Sequence, residues 1–242
     1  MPLAFHIHSG DTYNFSILAR YMAAFRKAAH TLKQYYDMLQ PLPSLSNMSL
    51  TQLFPYPTAY TSVIDGNRTK KIVYQRQLSE DKLVFFGTQE SDGQPICIKF
   101  VQQYSTEAHN YCAVLGCAPT LMGFEVVGGW FMVVMENISK GRDTLFSKQL
   151  SMTTKALIAD KLKKFHQAGF VHGDIRDTNI MVSNSDEKDF KIIDFDWAGR
   201  VNEARYPSFI NRQIWRPSGA VDGQPILPSH DLAMLDHIGL DQ

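Results

Sequence analysis

Apolar or small residues recur at Phe15, Leu18, Met22, Phe25, Ala29, Leu32, Tyr36 and Leu39, in alternating steps of three and four. That spacing lines one face of an α-helix and predicts a single long amphipathic helix. Asp11 or Thr12 offers the capping side chain, and Pro41 and Pro43 forbid continuation. Such a stripe either packs on its own domain or zips to a second copy; Ala29 and Tyr36 suit a coiled-coil seam poorly, which favours packing. Residues 41–57 are rich in Pro and Ser and lack periodicity, so residues 1–59 read as a helical extension and connector.

Beyond residue 60 the period shortens. Three β-rich runs, 71–78, 82–88 and 95–101, are separated by the turn-like Ser79-Glu80-Asp81 and Ser91-Asp92-Gly93-Gln94, which predicts an antiparallel meander. Residues 106–115 read as a helix, and 121–127 and 130–138 flank Gly128-Gly129 as a further hairpin. After Ile138 the period lengthens again. Residues 153–168 place Ile158, Leu162 and Phe165 on one helical face and stop at Gly169, 180–182 and 190–194 are short β runs, and 229–238 form a last helix. The expectation is an α+β chain: a β-rich lobe over 60–138 and a mainly helical lobe over 139–242.

Composition narrows the function classes. Twenty-four Lys and Arg balance twenty-four Asp and Glu, so no global field draws nucleic acid or an anionic membrane. Hydrophobic residues at 44% place the chain among folding sequences. The three cysteines are odd in number and lack CxxC spacing, which argues against disulfides and zinc. The start of the chain lacks signal-peptide character, and its longest apolar run, 130–135, falls far short of the ~20 residues that span a bilayer. These features predict an intracellular, cytoplasmic protein with neither a membrane nor a nucleic acid as partner.

The chemistry concentrates in His172-Gly173-Asp174-Ile175-Arg176-Asp177-Thr178-Asn179, followed by Ile192-Ile193-Asp194-Phe195-Asp196. Phosphoryl transfer needs a carboxylate to orient the attacking hydroxyl and oxygen ligands to hold Mg²⁺ on nucleotide phosphates. Asp174, Asn179 and Asp194 supply such a set, and hard oxygen donors suit Mg²⁺. Order and spacing resemble the catalytic loop (HRDxxxxN) and metal loop (DFG) of the protein kinase-like superfamily. The HGD variant is similar to RIO-type and aminoglycoside- or choline-kinase-like members. From Phe54-Pro55-Tyr56-Pro57 to His230-Asp231 the chain resembles the small kinase-like proteins abundant in mushroom-forming fungi.

The resemblance implies a bilobal fold with a truncated helical C-lobe, the cofactors ATP and Mg²⁺, and a role for further residues. Pro95-Ile96-Cys97-Ile98-Lys99-Phe100 resembles the VAIK strand, which makes Lys99 the phosphate-positioning lysine and Glu107 its helix partner. Glu136, Asn137 and Ile138 align with the hinge that receives adenine. Asp174 is then the catalytic carboxylate, Asn179 and Asp194 hold metal, and Asp196 is a secondary ligand. Asp231 resembles the aspartate that braces the catalytic loop, with a helix N-cap as the alternative. His172 is expected to pack and hydrogen-bond, and Trp130, Trp197 and Trp215 to be core.

The match has gaps. The turn Leu78-Ser79-Glu80-Asp81 carries two carboxylates where a glycine-rich phosphate loop would lie, and the alternative, Asp65-Gly66-Asn67, also lacks GxGxxG. Gly173 replaces the HRD arginine, which argues against control by loop phosphorylation. The implied acceptor is a protein or small-molecule hydroxyl. An atypical Ser/Thr protein kinase leads, with a small-molecule kinase and a pseudokinase scaffold as alternatives.

Overall fold

A computed structural model describes residues 12–38, 55, 57–147 and 150–239, with side chains from residue 16 onward. The chain divides into two units, Met1–Leu53 and Phe54–Gln242. In the first, helix α1 spans Thr12–Met38. Its stripe positions Met22, Phe25, Leu32 and Tyr36 are exposed, and a Lys33–Asp37 pair one turn apart supports the helix at 2.7 Å. The predicted cap at Asp11 and the connector up to Leu53 lie outside the described residues.

The second unit opens with a six-stranded antiparallel sheet. Its strands are β1 (Ala59–Thr61), β2 (Thr69–Ser79), β3 (Lys82–Gln89), β4 (Pro95–Val101), β5 (Leu121–Val127) and β6 (Trp130–Glu136), in the order β1-β2-β3-β4-β6-β5. Helix α2 (Thr106–Val114) follows β4. The meander forms because alternate residues bury one face: Tyr60, Ile72, Phe85, Ile96, Ile98, Met132 and Val134 make a single core beneath the sheet. Asp65-Gly66-Asn67-Arg68 closes the β1–β2 hairpin with left-handed Gly66 and Asn67 and an Arg68-to-Asp65 backbone bond of 3.1 Å, a type I′ turn. Opposite a bulge in β2, a Cβ on Gly87 would stand 2.4 Å from the Val73 carbonyl oxygen, so only glycine lets the strands close there.

The helical lobe begins with β7 (Arg142–Thr144) and a 3₁₀ turn, Leu145–Ser147. Helix α3 (Met152–Gln167) is capped by Ser151 Oγ, which accepts from the Thr154 amide at 3.2 Å. Its buried face, Ile158, Leu162 and Phe165, is worth about 1.5–3 kcal/mol per side chain. Then come β8 (Phe170–Val171), a 3₁₀ turn at Asp177–Asn179, β9 (Ile180–Ser183), β10 (Phe190–Ile192), β11 (Gly199–Arg200) and α4 (Pro228–His237). One core joins α2, α3, β9, β10 and α4 through Ala108, Cys112, Leu162, Ile180, Ile192 and Met234. The expected β run over 190–194 ends at Ile192 because Asp194 turns left-handed, φ +73°. Trp197 packs against a smaller cluster, but Trp130 and Trp215 are substantially exposed and are not core. Trp215 stacks on His237 instead, at 3.9 Å between centroids.

Candidate active site

The turn between β8 and β9 holds residues 172–179, and α4 fixes it from below. Asp231, wholly buried in the first turn of α4, accepts from the His172 amide at 2.8 Å and the Gly173 amide at 2.7 Å; His166 Nε2 of α3 lies 2.9 Å from the same carboxylate. The N-cap of α4 is Leu227, so Asp231 is a brace and not a cap. Gly173 sits at φ +84°, where a Cβ would meet Ile226 at 2.6 Å; glycine, not arginine, is what this loop shape admits.

The loop presents Asp174, 5% exposed. Its Oδ2 accepts from Asn179 Nδ2 at 2.8 Å and lies 3.0 Å from Arg176 Nε. Its Oδ1 accepts from Arg216 Nη2, also at 2.8 Å. Asn179 Nδ2 further donates to the Asp174 carbonyl at 3.0 Å, and the Asn179 carbonyl accepts from the Ile193 amide at 2.9 Å, which carries the chain directly into Asp194. His172 packs edge-on against Phe195 and places Nε2 3.2 Å from the Ile193 carbonyl.

Across the cleft, β4 projects Lys99. Its ammonium bonds both Asp194 Oδ1 and, at 2.6 Å, Asp196 Oδ1. Burial pushes the Asp194 carboxyl up, but Lys99 outweighs it and holds the group below the usual carboxylate range. Asp196 goes the other way: burial and the neighbouring Asp194 charge push it up to about 7. Lys99 is raised, because the two carboxylates outweigh its own burial. Lys99 and Asp194 thus form a half-buried ion pair with a second carboxyl beside it.

The expected Lys99–Glu107 pair is not formed. Glu107 lies in the first turn of α2, largely exposed, and its Oε2 accepts from Arg200 Nη2 at 2.8 Å and Nε at 3.0 Å. The physical reason is that α2 is tied to the segment 194–196 rather than to β4. The Ser105 amide donates to the Phe195 carbonyl at 3.2 Å, and His109 stacks on the Phe195 ring at 4.7 Å. This aims the start of α2 at β11, while Asp194 and Asp196 already compensate Lys99.

At the end of β6 the Glu136 amide donates to the Thr120 carbonyl and the Asn137 amide to Pro95, at 2.9 and 3.2 Å; Ile138 follows. The Glu80-Asp81 turn joins β2 and β3 as expected. A cavity of about 450 Å³ opens beside the catalytic loop, lined among others by Ile175, Arg176, Thr178, Trp215, Met234 and Ile238. Arg216 is the site residue that sequence reasoning missed; forty-two residues from Asp174, it carries no motif spacing to betray it.

Residues 120–233 match the protein kinase domain family. Among curated proteins, the chain is 27% identical over 180 residues to a serine/threonine-protein kinase 1 from a South African tick isolate of African swine fever virus, covering 69% of this chain and 59% of that protein. To the protein of the same name from the Badajoz strain it is 28% identical over 185 residues, covering 69% and 61%. The chain therefore spans about 60% of the length of these relatives. Among solved structures, the Cydia pomonella granulovirus kinase PK-1 is 18% identical with a TM-score of 0.47, over 58% of this chain and 55% of that one. No helix among the described residues is long and apolar enough to cross a membrane. Residues 120–233 are thus similar to a protein kinase domain, and the chain is similar over about two thirds of its length to viral serine/threonine-protein kinases.

Proposed function

We propose that the chain is an ATP- and Mg²⁺-dependent phosphotransferase acting on a Ser or Thr hydroxyl. The observation that carries this reading is a continuous run of contacts: Lys99 to Asp194, the Ile193 amide to Asn179, and Asn179 to Asp174. Asp174 would orient the acceptor hydroxyl, and Lys99 would move from its carboxylate partners to the nucleotide phosphates. Asn179 and Asp194 would hold Mg²⁺, with Asp196 beside them. Their oxygen donors fit a hard cation. When bound, Mg²⁺ supplies charge neutralisation on the phosphates. The base would be received at Glu136–Ile138, chiefly by carbonyl groups and Ile138, since the Glu136 and Asn137 amides are committed.

A small-molecule hydroxyl acceptor is the second reading, favoured by Gly173 and by the DFD sequence of the metal loop. The HGD likeness to small fungal kinase-like proteins rests on motif alone. The test is a thermal-shift titration with ATP, with and without Mg²⁺, followed by transfer assays on Ser/Thr peptides and on amino alcohols. A ligand at a hundred times its Kd stabilises the native state by about 2.7 kcal/mol. Mg²⁺-dependent stabilisation and transfer to peptide are expected. Absence of both would leave the chain a binding scaffold, in keeping with the carboxylates of the β2–β3 turn.

A further inference from the structure

Arg216 arrives at the catalytic loop from the irregular segment between β11 and α4, and its side chain is only 5% exposed. Among the described residues its one carboxylate partner is Asp174. Its other contacts are weak: Nη1 lies 3.4 Å from the Gly173 carbonyl and 3.6 Å from Met234 Sδ, and Nε is buried without a hydrogen-bond partner. The guanidinium carbon lies 4.8 Å from the Trp197 centroid and 5.9 Å from that of Tyr206, two rings set edge to face that bound it on two sides. Trp197 follows directly on Asp196, so the shelf under Arg216 belongs to the metal loop.

We infer that Arg216 is a positioning residue for Asp174: the aromatic shelf sets the guanidinium, and the guanidinium sets the carboxylate. This rests on the phosphotransfer reading above. Asn179 and Arg176 restrain Oδ2 alone, which leaves the carboxylate free to rotate about its last bond. Arg216 at Oδ1 fixes the second oxygen and so the plane in which the remaining lone pairs meet an acceptor hydroxyl. Lysine does not reproduce this, because a point charge offers no planar fork to reach both Asp174 Oδ1 and the Gly173 carbonyl.

The experiment compares wild type, Arg216→Ala, Arg216→Lys and a control, Arg212→Met, an exposed cation of the same segment. A misplacement of about 1 Å costs on the order of 10²-fold in rate. Arg216→Ala is expected to lose about that in kcat with the KM for ATP within about two-fold. Arg216→Lys should recover only part, and Arg212→Met should match wild type. Added guanidinium or methylguanidinium should restore turnover to Arg216→Ala and leave wild type unchanged. Turnover of Arg216→Ala within two-fold of wild type, or a loss that guanidinium leaves unrescued, overturns the inference. Melting of Asp174→Asn, Arg216→Lys and the double variant reads the same contact without turnover. The single shifts should fail to add, and additive shifts overturn the inference. If wild type transfers phosphate to nothing, the functional reading falls and this cycle alone decides whether Arg216 sets Asp174.

Discussion

Asp231, fully buried, and Asp194, half-buried, flank the two ends of the same site, yet they are held in opposite ways. Asp231 takes two backbone amides and an imidazole, groups that cannot move without unfolding the loop. Asp194 is held by one lysine ammonium on the far side of the cleft, shared with Asp196. A carboxylate satisfied by backbone amides is a structural brace. One satisfied by a side chain at the end of four flexible bonds can exchange that partner for a ligand.

The comparison breaks most directly by mutation of each acid. Asp231→Ala leaves two buried amides without an acceptor and should cost about 3–5 kcal/mol in denaturant unfolding. Asp194→Asn tolerates the left-handed backbone and leaves Lys99 paired with Asp196, so its cost should stay within about 1 kcal/mol while the Mg²⁺-dependent thermal shift disappears. Equal destabilisation by the two variants would erase the distinction.

The neighbours in this site were legible in part because the motif spaces its polar residues at fixed intervals: Asn179 meets Asp174 and Lys99 meets Asp194, the two pairs joined through the Ile193 amide. The strands β2 to β6 were legible because each runs seven or more β-prone residues between turn-forming segments. Strands β1, β7, β8 and β11, of two or three residues, lie below any periodicity and exist through their partners. Glu107 was misjudged for a similar reason. Sequence separation says that a helix follows the lysine strand, but its direction is set by Ser105 and His109 contacts to Phe195, which no local pattern records.

Those contacts supply a pH-dependent test of how the metal loop is held. His109 is fully buried, stacked on Phe195, with Nε2 2.8 Å from the Pro119 carbonyl and Nδ1 2.6 Å from the Tyr104 hydroxyl. Burial, aided by the charge of His172, pushes its pKa down to about 4. In the unfolded chain it titrates near 6.5. The neutral form therefore contributes stability that is complete above pH 6.5 and is lost as pH falls toward 4, by about 3 kcal/mol at most. Urea unfolding from pH 7 to 4 should show this slope in wild type and a shallower one in His109→Leu. Parallel slopes would mean that His109 is not the titrating group.

Asp174→Asn sharpens the comparison from the catalytic side. The change keeps the shape of the group and its bond to Asn179 but removes the charge facing Arg216 and the acceptor. Transfer should fall on the order of 10²-fold or more. The nucleotide-induced thermal shift should stay near wild type, because Asp174 faces the acceptor and not the phosphates. Retained turnover would remove Asp174 from the mechanism, and a lost nucleotide shift would move it to the phosphate side with Asp194.

The smallest expected effect belongs to Glu107, whose pair with Arg200 is exposed at both ends, 66% and 49%. Exposed ion pairs contribute about 0.2–1 kcal/mol, so Glu107→Gln should change stability by no more than that. Its effect on turnover decides between two partners for Lys99. If Asp194 and Asp196 hold the lysine, Glu107→Gln should leave kcat and the KM for ATP within about two-fold of wild type, with Arg200→Gln doing the same. A ten-fold loss in Glu107→Gln but not in Arg200→Gln would show that α2 turns during the reaction to bring Glu107 to Lys99. The flexibly held half of the site would then extend from the two carboxylates to the helix itself.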